Sequence, residues 1–355
     1  MRKIVLGLIA VVWLNVGYTH EPELAEVMNK VLPSVAYIQV EQFVIRDKVD
    51  EVTKEVSQVR VMGTPIVGSG FVIDGNTVVT NYHVISFAVE YNTDVYVSFR
   101  ESNQRYQVKI LGYDKVADVA LLGLSEKFPS VKISNNTNMR MGDAVFSISH
   151  FYGIGWSGTQ GTISSNRRND TRYPYVNNLQ LQLLQGSGSS GGPVFNYRGE
   201  VVGLNRSIVS MYPRALLETS RSTSMLSMVG YPVRADTLIK AIEDIRRDII
   251  VVHLDLGVAL LDFGYESSFH LNYASGDPSF PIGTMVLDID AGITTTLMLS
   301  DIIISIDDRK FDTALELFEW LDSQSKFKAG DYINVQVYRD AKIINIRVPI
   351  KLAGL

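Results

Sequence analysis

From Ser34 to about Val209 the chain is a succession of short β-favouring runs separated by turn signals, with no convincing long helix among them. The runs are Ala36–Val40, Val59–Met62, Gly70–Ile73, Thr77–Thr80, Val95–Phe99, Tyr106–Leu111, Val119–Leu122, Ala144–Ile148, Leu179–Leu183 and Val201–Leu204. Many short strands without intervening helices indicate a barrel or a sandwich. Helical spacing is confined to the flanks. Before this region, Leu24, Val27, Met28 and Val31 recur at helical intervals, and Pro33 ends the pattern. After it, Ala235–Ile249 places Leu238, Ile242, Ile245 and Ile249 on one face. The last hundred or so residues mix strands with one helix. Thr313 and Glu316 read as a capping box for a helix carrying Leu317, Trp320 and Leu321. Asn334–Tyr338 and Ile343–Val348 read as a hairpin. Three polar stretches, Asp47–Glu55, Asn166–Tyr175 and Arg206–Ser227, read as loops.

Composition removes several function classes. The net charge is −5 and no basic block occurs, which argues against nucleic acid as the main partner. The absence of cysteine excludes disulfides, thiolate catalysis and cysteine-type zinc sites. With 355 residues, two or three domains with sizeable cores are possible. Met1-Arg2-Lys3 followed by the apolar run Ile4–Val16 fits an export signal over residues 1–20. The run is short for a membrane span, which needs about 20 residues. The cleavage site is poor, so an uncleaved membrane anchor through residues 4–16 is the alternative.

Gln185–Asn196 holds four glycines and three serines, a poor helix and a poor strand between two apolar runs. A tight turn there can present one hydroxyl and aim backbone N–H groups at a neighbouring oxygen. Ser190 is the candidate nucleophile. His83 follows the run Thr77–Thr80, where a strand end can offer one ring nitrogen to a hydroxyl and the other to a carboxylate. Asp118 opens the apolar run Val119–Leu122, and a carboxylate buried there needs a partner such as an imidazole N–H. The order His83, Asp118, Ser190 is that of the chymotrypsin-type triad. A serine hydroxyl is a weak nucleophile, so a base must take its proton. Histidine titrates near neutrality and can return that proton to the leaving amine. The oxyanion needs donors, and the N–H groups of Gly188 and Ser190 are the natural pair.

Taken in order, Gly68-Ser69-Gly70-Phe71-Val72-Ile73, Thr80-Asn81-Tyr82-His83-Val84, Ala117-Asp118-Val119-Ala120-Leu121-Leu122, Gly161-Thr162-Ile163-Ser164 and Gly188-Ser189-Ser190-Gly191-Gly192-Pro193 resemble the signature segments of the HtrA/Deg serine proteases. The resemblance runs from about Glu21 to the end. It implies a mainly β fold: a chymotrypsin-like double six-stranded β-barrel over 21–249, followed by a small α+β PDZ-like domain over 250–355. It further implies an exported, periplasmic endopeptidase that acts on unfolded or misfolded proteins, needs no cofactor or metal, and assembles as a trimer. Leu256-Gly257-Val258 resembles the PDZ loop that captures peptide C-terminal carboxylates. By the same resemblance, Leu184 and Gln185 wall the primary specificity pocket. No acidic residue lies there, so cleavage after small or medium apolar residues is expected.

Departures and rivals bear on these expectations. The residue before the nucleophile is Ser189, so no ion pair with a newly cut amine at Ile66 can form, and activity should need no cleavage there. G-x-S-x-G at 188–192 also fits an α/β-hydrolase elbow, but that requires a following helix and a later catalytic histidine. Here Pro193 and a hairpin follow, and His253 and His270 fall in the C-terminal region. Asp114 reads as a solvated turn residue and His150 as a loop or packing residue. Two alternatives to general proteolysis stand: a processing protease with one dedicated substrate, and a chaperone-like peptide-binding protein that cuts little.

Overall fold

The computed structural model describes residues 23–49, 56–102, 104–135, 138–151, 155–170, 173–208, 227–263, 283–289, 294–311, 313–324 and 326–354. The apolar run Ile4–Val16, residues 50–55 and residues 209–226 lie outside them. Helix α1 (Leu24–Val31) leads into β1 (Val35–Val40), and the hairpin β2 (Phe43–Val49) and β3 (Val56–Met62) follows. Then come β4 (Ile66–Val72), β5 (Thr77–Thr80), α2 (Tyr82–Tyr91), β6 (Val95–Phe99), β7 (Tyr106–Asp114) and β8 (Val119–Gly123). Strands β1, β4, β5, β8, β7 and β6 pair in that order, and the β6–β1 contact closes the first barrel. Strands β9 (Ala144–Phe151), β10 (Gly155–Asp170), β11 (Tyr173–Gln185), β12 (Pro193–Asn196), β13 (Val201–Ile208) and β14 (Ser227–Arg234) close the second, in the order β10-β11-β14-β13-β12-β9.

Strands β4, β5 and β8 bury both faces, which explains why they read as continuous apolar runs, whereas β6 and β7 alternate buried with more exposed positions. Val72, Val78, Ala120 and Leu122 fill the first barrel. Their neighbours Phe71, Val79, Val119 and Leu121 turn outward onto Phe146, Ile148, Phe195, Val201 and Leu204 of the second. Helix α3 (Ala235–Asp248) inserts Leu238, Ala241, Ile242 and Ile245 into this shared core, and α1 adds Val27 and Val31. The second barrel has its own filling of Val145, Ile163, Leu179, Leu181, Leu183, Val194 and Val202.

After α3 the chain turns sharply at Ile249 (φ 63°). Strand β15 (Ile250–Val251) then adds to β7 in parallel, pairing Val251 with Asp114. Strand β16 (His253–Asp255) begins the C-terminal unit and pairs with β23 (Lys351–Ala353). The main sheet there consists of β17 (Val258–Phe263), β18 (Gly283–Ile289), β19 (Ile302–Ile306), β20 (Arg309–Lys310), β21 (Tyr332–Arg339) and β22 (Lys342–Pro349). Helix α4 (Ala314–Ser323) covers it with Ala314, Leu317, Phe318 and Leu321. Thr313 caps this helix, its Oγ1 accepting the Glu316 N–H at 3.2 Å.

Three local expectations are corrected. Tyr82–Tyr91 is helical, because Val84, Ile85 and Ala88 bury one face against the first barrel while Phe87 and Tyr91 hold Phe43. Asp47 and Lys48 belong to β2, whose ladder runs to the pair Val49–Val56. Strand β10 extends through Asp170 and β11 starts at Tyr173, so much of Asn166–Tyr175 is a bulged, polar hairpin rather than a loop.

Candidate active site

Asp118 sits at the end of the turn between β7 and β8, with φ at 57°, a conformation aspartate tolerates better than most side chains. Its side chain is 2% exposed and both oxygens are used on His83. Oδ1 accepts the His83 backbone N–H at 2.9 Å, and Oδ2 pairs with Nδ1 at 2.8 Å. Helix α2 makes this two-point grip possible, because its first turn leaves that N–H without an intrahelical acceptor. His83 is therefore in a helix rather than on a strand end. Its side chain is 41% exposed, which leaves the ring accessible. Asn81 fixes the other end of Asp118, donating from Nδ2 to its carbonyl oxygen at 2.9 Å.

The serine loop is fastened to the same edge of the first barrel. Ser69 of β4 donates its N–H to the Ser190 carbonyl and its hydroxyl to the Gly188 carbonyl, each at 2.7 Å. The same hydroxyl accepts the His150 N–H at 2.9 Å. Gly191 (φ 81°) passes so close that a Cβ would lie 2.2 Å from the Ser69 carbonyl oxygen and 2.3 Å from Thr80 Oγ1. Only glycine combines that torsion with that approach. Ser189 is buried and donates its hydroxyl to Gly186 O at 2.7 Å, and Asn205 clamps the far side of the loop through backbone bonds to Gly191 and Gly192. The N–H groups of Gly188 and Ser190 have no protein acceptor among the described residues. No hydrogen bond joins Ser190 Oγ to His83 Nε2 in this state. Such contacts commonly tighten only once substrate is bound.

The remaining candidates are placed as follows. Leu184 is half-buried at the end of β11. Gln185 is buried and turns its amide inward, donating to Asn205 Oδ1 at 2.8 Å, while Asn205 donates to Ser147. His150 lies on β9, stacked on Tyr37 at 3.8 Å, and burial holds its pKa below the ordinary imidazole value. Leu256, Gly257 and Val258 form the turn into β17, with Gly257 at φ 70°. Asp255 Oδ1 accepts the N–H groups of both Leu256 and Gly257, at 2.5 and 3.1 Å. Among the described residues no cluster of histidine and acidic side chains could hold a metal ion, and no helix is long and apolar enough to cross a membrane.

Asp114 is not solvated. It is 2% exposed and its Oδ1 accepts the N–H groups of Val116 and Ala117, at 2.9 and 2.8 Å, capping the turn that ends in Asp118. Its Oδ2 meets His253 Nε2 at 2.9 Å. The other face of His253 pairs with Asp322 of α4. Burial alone would depress the His253 pKa, but the bonds to Asp114 and Asp322 and their charges outweigh it and raise it to about 10. In sequence, Ser69 and Asn81 stood only as members of the signature-like segments, with no bonding role assigned, and Asp114 as a solvated turn residue.

The family model of the trypsin-like peptidase domain matches residues 68–204. Among curated relatives, the chain is similar to the probable periplasmic serine endoprotease DegP-like of Pseudomonas putida strain W619, at 28% identity over 290 residues, 80% of this chain and 55% of that one. A protein of the same name from Rickettsia prowazekii is 29% identical over 297 residues, 81% of this chain and 53% of that one. That from Brucella suis biovar 1 is 34% identical over 147 residues, 40% and 28% of the two chains. The chain thus spans about half the length of the curated relatives it matches. Among solved structures it is similar to the HtrA-type protease AlgW with decapeptide, with a TM-score of 0.64 at 20% identity over 94% of this chain and 100% of that one. The serine endoprotease from Yersinia pestis gives a TM-score of 0.57 at 19% identity, covering 94% and 98%.

Proposed function

Because the chain belongs to the HtrA/Deg family of trypsin-like serine proteases, we propose that it is a serine endopeptidase with Ser190 as nucleophile, His83 as general base and Asp118 as the carboxylate that orients it. The observation that carries this reading is the two-point grip of buried Asp118 on His83, set beside a glycine loop strapped to the same barrel edge. The grip fixes the ring so that Nδ1 carries the proton and Nε2 is free to accept one from Ser190. Attack on a carbonyl then places the developing oxyanion against the N–H groups of Gly188 and Ser190. Each such donor is worth about 3–4 kcal/mol in the transition state. The imidazolium formed is stabilised by Asp118 and returns its proton to the leaving amine.

The substrates on this reading are unfolded or misfolded polypeptides, cut after small or medium apolar residues. The half-buried Leu184 and the inward-turned Gln185 offer no charge to a basic side chain. On this reading the enzyme works outside the cytoplasm, in keeping with the word periplasmic in the relatives' name; the apolar run 4–16 would serve as export signal or anchor, and the assembly would be a trimer. The C-terminal unit acts as a PDZ-like domain that captures peptide C-termini at Leu256, Gly257 and Val258. Asp255 already engages two of these N–H groups, so capture requires its carboxylate to give way. The test is Ser190→Ala. Casein hydrolysis and labelling by a fluorophosphonate should both disappear while the circular dichroism spectrum and melting temperature are kept. Equal hydrolysis by the variant would end the assignment.

A further inference from the structure

His253 stands apart from the residues assigned above, yet it touches the machinery through one intermediate. Three carboxylate–donor contacts run in series across the junction between the barrels and the C-terminal unit. Asp322, on α4, holds the junction with both oxygens: Oδ2 pairs with His253 Nδ1 and Oδ1 accepts the Leu254 N–H at 2.8 Å. His253 carries the contact through its ring to Asp114 Oδ2. Asp114 then uses its other oxygen to cap the turn at Val116 and Ala117, and that turn delivers Asp118. The backbone reinforces the path, since Val251 pairs with Asp114 itself and the Ile249 carbonyl accepts the Tyr113 N–H at 2.8 Å, while the Ile249 N–H donates to the Ile245 carbonyl at the end of α3.

We propose that His253 is a positioning residue for the triad, transmitting the seating of the C-terminal unit through Asp114 to the turn that presents Asp118. The inference rests on the protease reading. Its physical content is that Asp114 has one carboxylate and two tasks. With His253 in place, the carboxylate is held at its second oxygen as well and its cap on the turn is fixed. Without it, a buried carboxylate would lose its cationic partner and seek water or another donor, loosening the cap. Asp118 would then keep its place less faithfully, and His83 with it. Because the imidazole is protonated, it donates to both carboxylates at once, so the arrangement needs a donor at each ring nitrogen. His253 touches neither substrate nor reacting atoms, so its loss should lower turnover rather than substrate affinity.

The test compares full-length wild type, His253→Gln, Asp322→Asn and His253→Arg, well below their melting temperatures. Fluorogenic casein supplies kcat and KM, and the second-order rate of fluorophosphonate labelling reports the reactivity of Ser190 without a polypeptide substrate. His253→Gln should lower kcat and the labelling rate together by about tenfold, with KM changed by less than about twofold, as expected for a misplaced catalytic group. Asp322→Asn leaves Asp114 and His253 intact and should give a smaller loss of the same kind. His253→Arg, a permanent cation with several donors, should recover most of the rate. If His253→Gln and Asp322→Asn both keep kcat and labelling at wild-type levels, with only a lower melting temperature, the positioning role is wrong and His253 is structural. Failure of the underlying reading looks different: wild type itself would not label at Ser190.

Discussion

Gly191 shows how narrowly the site is specified at the scale of one residue. Its backbone lies at φ 81° and against the Ser69 carbonyl and Thr80 hydroxyl, so an added methyl group meets both a torsional and a steric barrier. Gly191→Ala should cost about 2–3 kcal/mol and displace Ser190 from its attachment to Ser69. A melting temperature lowered by several degrees and greatly slowed fluorophosphonate labelling are expected. Wild-type values for both would show that the loop is free to move away from β4. The glycine itself was legible in the sequence, as part of a loop too rich in glycine for regular structure. Ser69 was not, because its partners Gly188, Ser190 and His150 lie far along the chain and a lone serine between two glycines carries no sign of them. Asp114 was misread for the same reason. An aspartate in a polar-looking turn is ordinarily solvated, and its burial depends on a histidine in the following domain.

The strands and helices were legible where one face alone decides their character. Helix α3 reads plainly from Leu238, Ile242 and Ile245, since its opposite face is charged. Strands β4, β5 and β8 read as apolar runs because both faces are covered. Helix α2 was hidden by its own composition: Tyr82, Val84 and Ile85 favour strands, and burial against the first barrel overrides that preference. Within the hairpin β2–β3, the part Val59–Met62 was read as a strand, whereas β2 was hidden by its charges, which suit an exposed ladder as well as a loop. The shared core makes α3 a fastener for both barrels. Leu238→Ala, at a fully buried position, should therefore lower unfolding free energy by about 2–5 kcal/mol. Denaturant titration should show an earlier midpoint with an unchanged slope. A loss below about 1 kcal/mol would mean that α3 does not share in the core.

At the scale of the molecule, the junction at His253 couples stability to pH. The charged groups facing it are Asp114 of β7 and Asp322 of α4, with Lys240 and Asp244 of α3 close by. Its folded pKa of about 10 lies above the ordinary histidine value of about 6.5. The folded state thus holds the proton more tightly, and the stabilisation is present in full below about pH 6.5, shrinks as pH rises, and is gone above about pH 10. Thermal scans of wild type against His253→Gln should show a gap that narrows steadily from pH 6.5 to 10. A constant gap would place the proton elsewhere. The serine loop, by contrast, is held by hydroxyls and amides alone: Ser69 on Gly188, Ser189 on Gly186, Asn205 on Gly191 and Gly192. Neutral bonds of this kind contribute about 1 kcal/mol each, so the whole arrangement is worth only a few kcal/mol, within reach of a ligand that binds one loop state about 100-fold more tightly than the other. On the proposed reading, activity would be a population rather than an event: a ligand that prefers one loop state could set or release the loop any number of times, whereas an enzyme switched on by cutting its chain makes that choice once.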